Sequence, residues 1–397
     1  ERLLGSRNIL VMNGKEWKFH RSAIVRALAN QQFLEQARCA IQKMMDTIFH
    51  EKQLPQDFVN VEVWMKRITM DIFSTTALST DFATRKNFLE QPNVSPPIAT
   101  VFDHLGAEFL RRIRNPFYPP NTMYDIPTPS NRRHARDVAF LRGLLEKVVA
   151  ERRQQQQQDG DQKQDLLNSL IEAMEKDGEK EAGNSALIDM LFSLLFAGYD
   201  TTSITLTYAL YHVASNPVVE KHLVEEASRV LKQDKRKMED LVYANAVVLE
   251  TLRLSPSVPA VNRSIVKDME LDDGYVVKEG SYVVFPIWVI NRKGFDRPNE
   301  FLPERWATWN GSCWKERELT SSDSGVEAGD RTALLAFSSG ARNCAGNKFA
   351  LQEATLVLSN LVKQLKFTLP DDYQLAPVRY GVVQRPKGGM PMKLEWR

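Results

Sequence analysis

The stretch Phe337-Ser338-Ser339-Gly340-Ala341-Arg342-Asn343-Cys344-Ala345-Gly346 decides how this chain reads. A single cysteine sits between two glycines, and apolar residues at helical spacing follow it. The start of a helix offers unpaired amide N–H groups and a partial positive charge, and both favour a thiolate. Gly340 permits a tight turn with positive φ. Gly346 has no side chain, so a flat ligand can come close to the backbone there. Arg342 can grip a carboxylate through two parallel hydrogen bonds. The plain alternative for a lone cysteine is a buried structural thiol after a loop. The set of fixed residues around Cys344 outweighs it.

Downstream, Cys344 to Leu365 reads as a last long helix, with a β-like tail after Lys366. Upstream, Asn310 to Arg331 reads as a polar insertion. Tyr275-Val276-Val277 and Tyr282-Val283-Val284-Phe285 are β-branched and aromatic runs bounded by Gly274 and Gly280, so they predict short strands. Before them the chain is helical. Helices are predicted from about Gly14 and over Val61–Leu78, Ile98–Ile113, Arg132–Arg153, Pro217–Leu231 and Met238–Leu254. In Ala186–Tyr211, Ile188, Leu191, Phe192, Leu195 and Phe196 recur at helical spacing, while Met190 and Leu194 lie off that stripe. Such a helix is apolar nearly all round and must be buried or span a membrane. Asp189, Ser193, Asp200, Thr201 and Thr202 interrupt it, which favours burial in a core.

Pro116–Pro129 holds five prolines and cannot be a helix interior. It reads as a surface connector, or as a loop that touches a membrane or a lipophilic ligand. Residues 154–165, beginning with the run Gln154–Gln158, read as a polar low-complexity loop. The fold class is mainly α with a small β portion, in a single domain over residues 1–397.

Composition excludes several functions. Fifty-two Lys+Arg against fifty Asp+Glu give a net charge of +2, too even for general nucleic-acid binding. Three cysteines without a Cys-x-x-Cys pair support neither a disulfide framework nor a structural zinc site. Cys39 and Cys313 therefore read as free thiols. No signal peptide is visible at the start of the sequence.

The stretch around Cys344 resembles the signature of the cytochromes P450, haem-thiolate monooxygenases: Phe-x-x-Gly-x-Arg-x-Cys-x-Gly is matched at every fixed position. Further motifs of the family follow its order. Trp17 and Arg21 resemble its Trp-x-x-x-Arg helix, and Ala197-Gly198-Tyr199-Asp200-Thr201-Thr202 its oxygen-binding groove. Glu250-Thr251-Leu252-Arg253 resembles its Glu-x-x-Arg pair. Pro303-Glu304-Arg305-Trp306 resembles its Pro-Glu-Arg-aromatic motif, with Trp where Phe is commoner. The likeness implies a cytochrome P450 fold lacking its N-terminal part, since the family's anchor, first helices and most of its larger sheet have no counterpart here.

The resemblance also implies roles. Cys344 would be the axial ligand of the iron in haem b (iron protoporphyrin IX), within a loop formed by Phe337, Gly340 and Gly346. Trp17, Arg21, Arg263 and Arg342 would hold the haem propionates. Trp17 and Arg21 are i, i+4 neighbours that one helix face can present together. Glu250 and Arg253 would form a buried network with Arg305 that fixes the cysteine loop. Gly198 would let dioxygen lie against the helix. Thr201 and Asp200 would deliver protons, although a threonine here can equally bond its own helix. Phe196, Ala197, Thr201, Thr205, Val258, Ala260 and Val261 would line an apolar pocket for a lipophilic substrate. The stretch after Glu250 resembles branches that hydroxylate fatty acids, and Ala197 excludes the covalent haem tether that a glutamate makes there in the animal branch.

The expected function is insertion of one oxygen atom of O2 into a C–H bond. No flavin or nicotinamide motif is present, so electrons would come from an NADPH-cytochrome P450 reductase or a ferredoxin. The full-length protein would work at the cytoplasmic face of the endoplasmic reticulum membrane, with no anchor in this chain. The alternatives are an isomerase or lyase acting on lipid hydroperoxides, and a non-catalytic haem-binding remnant.

Overall fold

The computed structural model describes residues 8–10, 12–50, 54–82, 93–95, 97–114, 126–159, 165–176, 183–232, 238–293, 295–317, 334–380 and 382–397. It is built on one helix, α7 (Gly183–Ala214), which runs for about 48 Å. Its apolar residues fall on every side, so it must be surrounded. From Ala186 to Val213 most of its side chains are less than a tenth exposed. Its span Asn184–Ala214 is long and apolar enough to cross a membrane by length and composition, and here it is the core helix.

The helices α1 (Gly14–Leu28), α2 (Gln31–His50), α3 (Val61–Ala77), α4 (Pro97–Arg114), α5 (Pro129–Asp159) and α6 (Leu166–Lys176) precede it. Next come α8 (Pro217–Val230), α9 (Val242–Leu254), the short α10 (Ile287–Ile290) and α11 (Asn347–Gln364). Helices α3, α5, α6, α8, α9 and α11 all pack against α7. α3 lies closest: a Cβ added at Gly198 would stand 2.4 Å from the ring of Phe73. Thr69 Oγ1 also donates across this interface to the Tyr199 carbonyl at 2.9 Å. Every described side chain of α3 except that of Thr75 is buried, charged ones included.

Among the described residues helix accounts for 62% and strand for 11%, so the structure is mainly helical. The largest sheet joins β1 (Val59–Asn60), β11 (Pro391–Trp396) and β8 (Leu365–Thr368), all antiparallel. The other strands pair in twos: β2 (Val261–Ser264) with β5 (Tyr282–Phe285), and β3 (Met269–Glu270) with β4 (Val276–Val277). β6 (Ala307–Trp309) pairs with β7 (Trp314–Glu316), and β9 (Pro377–Tyr380) with β10 (Val383–Pro386).

Several sequence readings change. The first helix stops at Leu28, and α2, which periodicity did not single out, starts at Gln31. α6 was missed as well. The loop expected over 154–165 begins later, because residues 154–159 are the last turns of α5. Glutamine is a good helix former, and low complexity does not by itself break a helix. Asp165 is buried against Arg152 and is no part of a solvated loop. The polar insertion begins as the β6–β7 hairpin, where Trp309 and Trp314 meet at 5.5 Å. Residues 116–125 of the proline-rich stretch and 318–331 of the insertion lie outside the described residues.

Candidate active site

The loop before α11 makes two short turns, Leu335–Phe337 and Gly340–Arg342, and delivers Cys344 three residues before the helix begins. Ser338 sits at φ 58°, a region that strains a residue with a Cβ, and Gly340 at φ 70°. The Cys344 amide donates to the Phe337 carbonyl at 2.8 Å, which closes the loop. The Cys344 side chain is exposed. Burial nonetheless pushes its thiol up, against the Gly346 amide and the Arg21 charge, which pull it down. A sulfur that faces a cleft walled by protein meets both descriptions. The amide donor expected from the helix start is thus present, but burial is the larger effect.

Three arginines gather around this loop. Arg342 lies over the Trp17 ring at 3.9 Å and Arg21 at 5.6 Å. Arg342 donates to the Met12 carbonyl and Asn13 Oδ1, Arg21 to Asn343 Oδ1, and Arg263 to Ser338 Oγ and the Asn262 carbonyl. All of these acceptors are neutral. Among the described residues no carboxylate forms an ion pair with any of the three. Arg342 is pulled down by burial and by the charges of Arg263 and Arg21. Three mutually repelling cations with only neutral acceptors fit a group that carries two carboxylates. Haem, with two propionates and an iron that binds thiolate, fits this donor set.

Below the loop, Glu250 is the hub of a buried network. Its carboxylate accepts Arg253 Nη2 at 2.8 Å, Arg253 Nε at 2.9 Å, Arg305 Nε at 3.2 Å, the Leu302 amide at 3.0 Å and Trp306 Nε1 at 2.9 Å. Arg253 also donates to the carbonyls of Pro298 and Glu300. Asn291, beneath it, accepts the Leu335 amide at 2.9 Å. The network thereby reaches the turn that leads to Cys344. Asn291 and the indole of Trp306 were not legible as parts of it; the one signal was Trp in place of the commoner Phe.

On α7, Ala197 is exposed, and Phe196, Gly198 and Thr201 are partly exposed, in the middle of an otherwise buried helix. That opening marks the face expected to line a pocket. Thr201 Oγ1 donates to the Ala197 carbonyl at 2.8 Å, so its proton is spent on its own helix and its oxygen remains an acceptor. Thr205, one turn on, is buried and bonds the Thr201 carbonyl. Val258, Ala260 and Val261 are partly buried on the segment entering β2. Phe196 packs on Phe102 of α4 at 5.5 Å.

Asp200 lies about 100° further round the helix. It is fully buried, and its Oδ1 accepts Arg385 Nη2 at 2.6 Å. Sequence reasoning expected it beside Thr201 in one relay; helix geometry separates the two side chains. Gly198 differs from expectation too, since its missing side chain makes room for Phe73. Phe73 in turn meets Phe349 of α11 edge-on at 6.3 Å, which couples the groove to the cysteine's helix. Glu353 of α11 was missed altogether. It is wholly buried with neither carboxylate oxygen hydrogen-bonded, and burial pushes it far up against the influence of Thr202. An acid directly before the mostly apolar stretch Ala354–Leu358 was the available signal.

Comparison with known proteins agrees with this geometry. Pentalenene oxygenase of Streptomyces avermitilis is 29% identical over 68% of this chain and 56% of its own length. Human cytochrome P450 4V2 is 25% identical over 98% of the chain and 74% of its own length. A bifunctional cytochrome P450/NADPH–P450 reductase of Aspergillus oryzae is 28% identical over 81% of the chain and 28% of its own length. The chain thus spans little more than half of the first relative. The family model described as Cytochrome P450 matches residues 3–391, nearly the whole sequence. A match of that extent, with every fixed residue of the cysteine loop present, means that the chain belongs to the cytochrome P450 family.

Proposed function

We propose that this chain is a single haem-binding monooxygenase domain that inserts one oxygen atom of O2 into a C–H bond of a lipophilic substrate. The observation that carries the reading is Cys344 on a closed loop beside three arginines that have, among the described residues, only neutral acceptors. Cys344 would ligate the iron, and Arg21, Arg263, Arg342 and the Trp17 indole would meet the propionates. When bound, haem supplies the activation of dioxygen; a thiolate ligand favours O–O cleavage.

The remaining work belongs to the chain. Ala197 and Phe196 offer an apolar wall that orients a lipophilic substrate and excludes water. The Thr201 oxygen accepts a hydrogen bond on the open face of α7, which can hold a water where protons are needed. Asp200 holds a proton behind it. The Glu250 network keeps the cysteine loop rigid, so the sulfur keeps its orientation. Electrons come from a partner, and the fused fungal relative supports an NADPH-cytochrome P450 reductase as donor. A fatty acid is the substrate class suggested by the sequence after Glu250.

The ferrous–carbonyl spectrum of the haem-loaded protein tests the reading. A red-shifted Soret band, lost in Cys344→Ala, is the expected result. A spectrum of the histidine-ligated type in the unmodified protein would overturn it.

A further inference from the structure

Behind the open face of α7, five ionisable side chains meet in the interior. Glu62 and Lys66 come from α3, Asp103 from α4, Asp200 from α7 and Arg385 from β10. Lys66 Nζ lies 2.9 Å from Glu62 Oε1 and 3.0 Å from Asp103 Oδ2. Arg385 bridges the other two acids, with Nη1 on Asp103 Oδ1 and Nη2 on Asp200 Oδ1. Glu62 Oε1 lies 3.8 Å from the same guanidinium. Only Asp103 is appreciably exposed, at 23% of its side chain.

Three carboxylates face two cations. Fully ionised, the cluster would hold one uncompensated negative charge. Among the described residues, the ion pairs of the cluster involve no cation besides Lys66 and Arg385. Arg67 and Asp71, also buried on α3, are of opposite sign and cancel. Tyr199, next to Asp200, stays a neutral phenol, because burial and the neighbouring acids push it far up. His104 of α4 lies 3.7 Å from Asp137 of α5, outside the cluster. Glu353 of α11 is itself an acid. An uncompensated charge in the interior is costly, and binding a proton removes it. Of the three acids, only Asp200 has a buried oxygen without a hydrogen-bond partner. Asp103 has both oxygens on cations, whereas Asp200 Oδ2 is buried without a hydrogen-bond partner.

We propose that this cluster carries one proton beyond its ion pairs, held on Oδ2 of Asp200, and that Asp103 and Lys66 set the pH at which it leaves. The inference deepens the role given to Asp200 above, but the proton itself rests on charge balance and not on turnover. The electrostatics run the same way. Burial pushes Asp200 up, Arg385 and Lys66 pull it down, and Asp103 pushes it up again. Asp103 and Lys66 are positioning residues here, acting on Asp200 through its field.

Infrared difference spectra of the haem-loaded protein, recorded through a pH titration in light and heavy water, test this. A buried protonated carboxylic acid gives a carbonyl stretch that shifts on deuteration. Two components are expected, one lost in Asp200→Asn and the other in Glu353→Gln. Asp103→Asn balances the cluster, so the Asp200 component titrates about one pH unit lower or more. Lys66→Met adds to the imbalance and moves it upward. Opposite shifts in these two variants would not arise from a merely structural role. The proposal is overturned if Asp200→Asn removes no component, or if the two charge variants leave its titration in place. If only one variant folds, the sign of its shift decides. A component that titrates as described in a protein without turnover would support the proton and remove the monooxygenase reading.

Discussion

At the residue scale, Gly198 shows how a motif and its physical cause can part. The sequence reading assigned its missing side chain to dioxygen, yet the space it leaves is filled by the Phe73 ring. Alanine is the better helix former by about 1 kcal/mol. A Cβ 2.4 Å from an aromatic ring costs more than that, because α3 is buried along its length and cannot step back. Gly198→Ala is expected to destabilise the fold by about 1–3 kcal/mol in urea denaturation. Phe73→Leu in the same chain should recover part of the loss. Stabilisation by Gly198→Ala alone would show that the two helices are not in tight contact.

At the element scale, the Glu250 network joins α9 to the segment between α10 and the cysteine loop. Its spacing was legible, since Glu250 and Arg253 stand three apart on a helix. Burial came from the family resemblance and not from the spacing, because the same pair on a surface helix would be worth a few tenths of a kcal/mol. Here both side chains are 0% exposed, so each depends on the other for its charge. Glu250→Gln strands the Arg253 guanidinium in the interior and should cost about 3–5 kcal/mol. Trp306→Phe removes one donor and leaves the carboxylate its other four, so about 1 kcal/mol is expected. Chemical denaturation of the two variants separates these magnitudes. Equal losses would mean that Glu250 is not the hub.

At the scale of the whole molecule, stability should depend on acid through a group remote from the loop. His212, near the end of α7, stacks on Phe301 at 4.4 Å and lies 3.0 Å from Ser255 Oγ. Burial, followed by the charges of Arg253 and Arg292, pushes its imidazole down to about 3 from 6.5. Between those values the unfolded chain binds a proton that the folded chain does not. This contribution is complete above pH about 6.5 and falls by up to ~1.4 kcal/mol per pH unit as the pH drops toward 3. His212→Phe should flatten the dependence over that window in thermal or urea unfolding. An unchanged slope would mean that His212 is protonated in the fold.

The sequence by itself determined the family, the cysteine, the long buried helix and the mainly helical class. The family rests on the resemblance of its motifs, and the others on local chemistry or on the period of apolar residues, all of which a chain carries without its fold. Tertiary structure alone decided which way side chains face and what lies opposite them. The five ionisable groups of the cluster, Asp200 included, come from four elements, with Glu62 and Arg385 more than three hundred positions apart. No spacing rule connects them. Their balance is an interior property, because in water each charge would be solvated separately and the odd carboxylate would need no proton.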